Sequence, residues 1–174
     1  FDWPSFKAKM HAELDRLENI YQNILKSNPV ETFDRRAKLD GPHTVELDGG
    51  KQITSKYILI ATGGRPALPD IKGSHLGMSS DEVFHLKELP ASLLIVGGGY
   101  IACEFAGVFN GLGVDVTQYY RGTQILRGFD NEARGLVSEE MCQRGINLQL
   151  ETQILEMEER KGKIWTKTTD GQEK

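Results

Sequence analysis

Apolar positions change their period several times along the chain, and each change marks an element. From Pro4 to Lys26, Phe6, Met10, Leu14, Leu17, Tyr21, Ile24 and Leu25 recur at three- and four-residue steps with no glycine between them. That is the pattern of an amphipathic helix, with Pro4 in its first turn and Asn28-Pro29 at its end. Residues 30–61 shift to short β segments. His43 to Leu47 is one arm, Asp48-Gly49-Gly50 a turn, and Lys51 to Thr54 the return. Tyr57 to Ala61 is a nearly continuous apolar run, which predicts a strand buried on both faces. Thr62 to Pro66 breaks it, and Pro66, Pro69 and Gly73 keep the next stretch irregular.

A second unit starts at Ser92. Leu93 to Val96 is a fully apolar strand followed at once by Gly97-Gly98-Gly99. A helix from about Tyr100 to Leu112 follows, closed by Gly113, then a strand from Val114 to Tyr120. Asn131 to Arg144 is a further helix capped by Gly145, and Ile146 to Leu150 the next strand. Further β segments lie around residues 153–158 and 163–168. Strand, helix, strand, helix, strand predicts an α/β fold: a Rossmann-like, doubly wound parallel sheet with small antiparallel β-meanders. Thr169-Asp170-Gly171-Gln172 reads as a hairpin turn whose returning strand begins at Glu173 and Lys174, so the sequence reads as a piece of a longer polypeptide.

Composition narrows the function classes. A net charge of −4 leaves no electrostatic footprint for nucleic acid. No apolar stretch is long enough for a membrane-spanning helix. Cys103 and Cys142 by themselves make neither a disulfide framework nor a metal site. Glycine is plentiful, with 19 residues, and none precedes Gly41.

The glycines carry the chemistry. Gly97-x-Gly99-x-x-Ala102 matches the dinucleotide fingerprint in its Gly-x-Gly-x-x-Ala form. Gly97 permits a tight turn and Gly99 lets backbone approach a pyrophosphate. Ala102 and Ala106 let the helix sit close on the sheet, with its N-terminus facing the anion. The alternative is a glycine-rich turn that binds nothing. The strand before the motif and the helix after it favour the binding reading. An NAD site usually has an acid at the end of the second strand, yet none occurs from Thr117 to Phe129. Arg121 and Arg127 bracket a short loop there instead, and two guanidiniums so placed suit a 2′-phosphate, hence NADP.

These residues resemble the NADPH domain of bacterial glutathione reductases, within the pyridine nucleotide–disulfide oxidoreductases. The resemblance runs through Gly97 to Ala102, Glu104 to Gly107, Tyr120 to Gly122 and Ile125 to Asp130. Ala61 to Pro66 is similar to the segment of these flavoproteins that returns to FAD, and Phe1 to Trp3 and Tyr21 to Leu25 are also similar. Tyr100-Ile101-Ala102 and the short Gly111-Leu112-Gly113 turn favour the glutathione over the trypanothione branch.

The resemblance implies roles for residues. Gly97, Gly99, Tyr100, Ile101, Ala102, Glu104, Arg121 and Arg127 would bind NADPH, with Tyr100 as a ring that swings away when the cofactor enters. Arg36, Ala37, Ala61, Thr62 and Gly63 would touch FAD, and Tyr21 would contact glutathione disulfide. Residues 1–90 would be the C-terminal part of an FAD-binding domain and 91–174 a truncated NADPH-binding domain. The parent would be a cytoplasmic homodimer with no nucleic-acid or membrane partner. The family's redox Cys-x-x-x-x-Cys pair and His–Glu pair are not in this sequence, so no catalytic residue is assigned. Three departures stand out: Arg35 where the family usually has glycine, Glu13 at a turn where several relatives carry a tyrosine, and Cys103 in place of a small aliphatic residue. Other readings are a lipoamide, mercuric or trypanothione reductase, or a non-catalytic nucleotide-binding module.

Overall fold

Leu93 to Val96 has the β-branched and aliphatic side chains that a parallel strand requires, and the chain folds there as expected. The computed structural model describes residues 1–173, and they fall into two compact units. One comprises Phe1–Trp3 and the chain from Pro66 onward, the other Pro4–Arg65.

The larger unit is built on a parallel sheet of β4 (Ser92–Val96), β5 (Asp115–Tyr119) and β6 (Asn147–Gln149), in that spatial order. Three further strands and two α-helices precede Ser92 along the chain. Helix α3 (Tyr100–Gly111) joins β4 to β5, and α4 (Asn131–Gln143) joins β5 to β6. Val96 pairs with Tyr119, and Tyr119 with Gln149, so the three strands finish along one carboxyl edge. Gly113 at φ 87° and Gly145 at φ 93° end the two helices in the left-handed conformation that glycine adopts without a Cβ penalty. Asp130 caps α4, its carboxylate accepting from the N–H groups of Glu132 and Ala133.

Ala106 and Phe109 of α3, Val116 of β5, Met141 of α4, and Val114, Ile125 and Ile146 form the core. Trp3 joins them, donating its indole N–H to the Leu86 carbonyl at 3.0 Å. Beyond β6, β7 (Ile154–Arg160) and β8 (Lys163–Thr168) form an antiparallel hairpin. Its two-residue turn, Lys161-Gly162, has positive φ at both positions, which matches the twist of the arms. The stretch from Pro66 holds a 3-10 turn at Ser74–Leu76 and the single helical turn α2 (Ser80–Val83). A hydrogen bond from Met157 N–H to the Lys72 carbonyl fastens that stretch to β7. The Asp-Gly turn closes as expected, and Lys167 bridges to Glu173. Lys174, the other residue expected on the returning strand, lies outside the described residues.

The smaller unit contains most of helix α1 (Trp3–Ser27) and the antiparallel meander β1 (Ala37–Leu39), β2 (Thr44–Leu47) and β3 (Gln52–Thr54). Helix α1 forms where its period predicts. Its apolar stripe is largely exposed, with Phe6, Leu14, Tyr21 and Ile24 all at the surface and Trp3 the buried residue. One expectation is corrected here: the run Tyr57–Ala61 makes no ladder, and Tyr57 and Leu59 are 79% and 89% exposed. A strand persists only where neighbours pair its amides and cover its faces. None of the described strands runs beside this one.

Candidate functional site

The carboxyl edge of the parallel sheet gathers two loops. Gly97-Gly98-Gly99 connects β4 to α3, and residues 120–130 connect β5 to α4. Gly97 has φ 138°, a conformation that side-chain-bearing residues avoid. It is held from both sides: its N–H donates to the Tyr119 carbonyl at 2.9 Å, and its carbonyl accepts from Gln118 Nε2 at 2.9 Å. A methyl group at Gly98 would collide with the ring of Tyr120, and one at Gly122 would lie 2.6 Å from that ring. The Tyr120 ring is therefore seated between two glycines, one from each loop. At Gly99 a methyl group would meet nothing within 4 Å. Nothing in the protein demands glycine there, and the space above its backbone is open.

Helix α3 leaves that space directly. Its first internal hydrogen bond runs from Cys103 N–H to the Gly99 carbonyl at 3.2 Å. The amides of the preceding turn point out of the helix N-terminus, where its dipole favours an anion. Ala106 is fully buried, as a close-packed helix requires, while Tyr100 and Ile101 are exposed. Glu104 is exposed one turn after Tyr100, on the same face of the helix.

The second loop is anchored at successive residues. Ile125 is fully buried in the core. Leu126 N–H donates to the Gly98 carbonyl at 2.6 Å, and Leu126 itself sits at φ 56°. The Gly122 carbonyl accepts from Glu151 N–H at 3.1 Å. Arg121 and Arg127 flank this fixed stretch, both exposed and neither in an ion pair or side-chain hydrogen bond among the described residues.

Cys103 lies half-buried beneath the glycine turn, its Sγ 3.6 Å from Gln118 Nε2. Burial pushes its thiol above the ordinary range, the Gln118 contact opposes that, and the Glu104 charge adds to it. The helix N-terminus thus fails to make it a reactive thiolate. Cys142 is exposed on α4.

In the smaller unit, Ala37 opens β1 opposite Leu47, and the Arg36 carbonyl accepts from Asp48 N–H at 2.9 Å. Ala61, Thr62 and Gly63 are exposed backbone without regular structure, with Gly63 at φ 75° in open space. Among the described residues no hydrogen bond joins them to Arg36 or Ala37. Arg35 has no positive φ, and its guanidinium donates to the Asp48 carbonyl at 3.1 Å. The backbone strain that arginine would suffer at a glycine-like position is absent. Tyr21 is 65% exposed on α1.

Three residues that spacing does not single out complete the arrangement: Gly98, Gln118 and Arg134. A glutamine inside an otherwise buried strand is the one signal the sequence carries for Gln118. Arg134 looks like any polar helix residue until its loop contacts are seen.

A glycine turn, a close-packed helix and a fixed loop on the carboxyl edge of a parallel sheet define the fold class. It is the Rossmann-type α/β unit of FAD- and NAD(P)-binding flavoprotein reductases. The chain belongs to the pyridine nucleotide-disulphide oxidoreductase family, whose pattern matches residues 2–174. It is 44% identical over 169 residues to a glutathione reductase of Burkholderia cepacia, covering 97% of this chain and 37% of that protein. It is 47% identical over 129 residues to the chloroplastic/mitochondrial glutathione reductase of Pisum sativum, covering 74% of this chain and 23% of that protein. The fold also matches a Cu(II) complex of a variant of the HOCl-induced flavoprotein disulfide reductase RclA from Escherichia coli. The TM-score is 0.91 and the identity 23%, over 100% of this chain and 41% of that one. The chain thus spans well under half the length of these relatives.

Proposed function

We propose that this chain is the nucleotide-binding part of an NADPH-dependent flavoprotein reductase that acts on glutathione disulfide. The observation that carries the cofactor reading is the pair of guanidiniums of Arg121 and Arg127, without an ion pair among the described residues. They stand at either end of a loop bound to the glycine turn, with no carboxylate from Thr117 to Phe129. The open space over Gly99 fits a pyrophosphate at the α3 N-terminus, so the residues present suit the dinucleotide. Residues 91–174 would form this NADPH domain and 1–90 part of an FAD domain.

In that reading Gly97, Gly99, Ile101 and Ala102 receive the pyrophosphate through backbone, and Arg121 and Arg127 grip the 2′-phosphate. Tyr100, exposed at the first position of α3, covers the nicotinamide pocket and turns aside to admit the ring. Glu104 would orient the carboxamide from one turn further along. Arg36, Ala37, Ala61, Thr62 and Gly63 would hold FAD by main-chain contacts, and Gly63 leaves the room such an approach needs. When bound, NADPH supplies a hydride equivalent and FAD relays its electrons to a disulfide. The choice of glutathione disulfide is supported by the names of the relatives, with Tyr21 as its contact. The homodimer and the cytoplasmic setting are extended from the same resemblance. Neither cysteine of this chain is assigned the disulfide step, because Cys103 is half-buried and the two do not form a Cys-x-x-x-x-Cys pair.

The test is direct binding of NADPH and NADH to the chain and to its Arg121→Ala, Arg127→Ala double variant. Each charge-assisted contact is worth ~1.5–3 kcal/mol before solvent screening at exposed sites. The double variant should therefore lose at least about tenfold in NADPH affinity, with NADH within about twofold. Equal losses for both cofactors would remove the 2′-phosphate assignment.

A further inference from the structure

We infer that Arg134 is a positioning residue that sets the preference for NADP over NAD by holding the Arg121–Arg127 loop in place. Its guanidinium donates from Nε to the Ile125 carbonyl at 2.7 Å and from Nη2 to the Gln124 carbonyl at 2.9 Å. Nη1 donates to Asn131 Oδ1 at 2.8 Å, so the fork is also fixed to its own helix. Gln124 returns the tie, its Nε2 donating to the Asn131 carbonyl at 3.2 Å. Two successive main-chain carbonyls are thus gripped by one planar group, a geometry that a lysine ammonium cannot reproduce.

What this grip restrains is a loop with reason to move. The loop is neither helix nor strand, and Leu126 is held at φ 56°, a conformation that costs a non-glycine residue free energy and persists only when its surroundings impose it. Those surroundings are the Arg134 fork, the buried Ile125 side chain and the Leu126 N–H bond to the Gly98 carbonyl. Arg127 follows Leu126 directly, so its guanidinium starts from a backbone already fixed relative to the glycine turn. A loop ordered before the ligand arrives avoids the cost of ordering it on binding. Arg134 makes no ion pair with a carboxylate among the described residues. Its donors are engaged by the loop and by Asn131, and it acts through Arg127 rather than on the ligand.

The inference rests on the 2′-phosphate reading, and one experiment separates the two. NADP⁺ and NAD⁺ are titrated calorimetrically into the chain and into Arg134→Lys, with thermal unfolding recorded in parallel. The Arg121→Ala, Arg127→Ala double variant is the control. Arg134→Lys keeps the charge and loses the fork, so the NADP⁺/NAD⁺ affinity ratio should fall by about tenfold while NAD⁺ binding changes little. If Arg134→Lys lowers both affinities equally, or neither, while the double variant loses its preference, Arg134 is merely structural and the inference falls. If the double variant keeps its preference, the 2′-phosphate reading fails and takes the inference with it. Should Arg134→Lys unfold the chain, Asn131→Ala unties Nη1 of the Arg134 fork from its helix and is read by the same ratio, an unchanged ratio overturning the inference.

Discussion

Gly98 shows how a single hydrogen atom in place of a methyl group decides the geometry of the candidate site. Its two neighbours follow from the spacing of the motif, since Gly97 takes the left-handed turn and Gly99 faces open space. Gly98 is the unspecified position of the fingerprint, and its need for glycine comes from the Tyr120 ring at the end of another strand. No pattern along the sequence encodes that contact. Gly98→Ala should cost about 1–3 kcal/mol through overpacking against the ring. Most of that cost should vanish in a Tyr120→Ala background, because the clash is shared by the pair. A double-mutant cycle read by thermal unfolding measures the coupling. Additive effects would place the strain somewhere other than the ring. Gln118 and Arg134 escaped the sequence for the same reason, their partners being carbonyls brought close only by folding.

Elements were more legible than contacts. Helices α3 and α4 and strands β4 and β5 sit within about a residue of where apolar period and glycine placement put them. The expectation that failed has a plain cause: burial belongs to an element's neighbours, not to its own sequence. Tyr57–Ala61 has the composition of an inner strand and no strand beside it, and α1 has a stripe that the smaller unit leaves uncovered. The irregular stretch before α2 illustrates the opposite case, a segment without period that is nonetheless held tightly. Gly73 sits at φ 81° where a methyl group would lie 2.7 Å from the Met157 carbonyl carbon and overlap its oxygen. Gly73→Ala should therefore destabilise the larger unit by about 2–4 kcal/mol, from left-handed strain plus main-chain overlap. The expected readout is a lower thermal midpoint together with faster amide exchange at Met157, whose N–H bonds to Lys72. An unchanged midpoint would mean that the stretch detaches from β7 at no cost.

At the scale of the whole molecule, the absence of a long apolar run in the sequence agrees with the helices of the structure. Among the described residues no helix is long and apolar enough to cross a membrane. The family too was legible, because its glycine fingerprint is local in sequence. The parallel sheet also governs how the chain behaves in company. Among the described residues β4 has β5 on one side only, and its other edge carries main-chain groups without a ladder partner along the apolar run Leu93–Val96. Leu93 and Ile95 pack on the core, so Leu94 alternates to the opposite face. Such an edge is a template for a strand from another molecule. Light scattering should therefore show particle size rising with concentration, and Leu94→Lys should suppress the rise without lowering the thermal midpoint by more than about 1 kcal/mol equivalent. The strand that leads into the glycine turn would then also set the colloidal limit of the chain in solution.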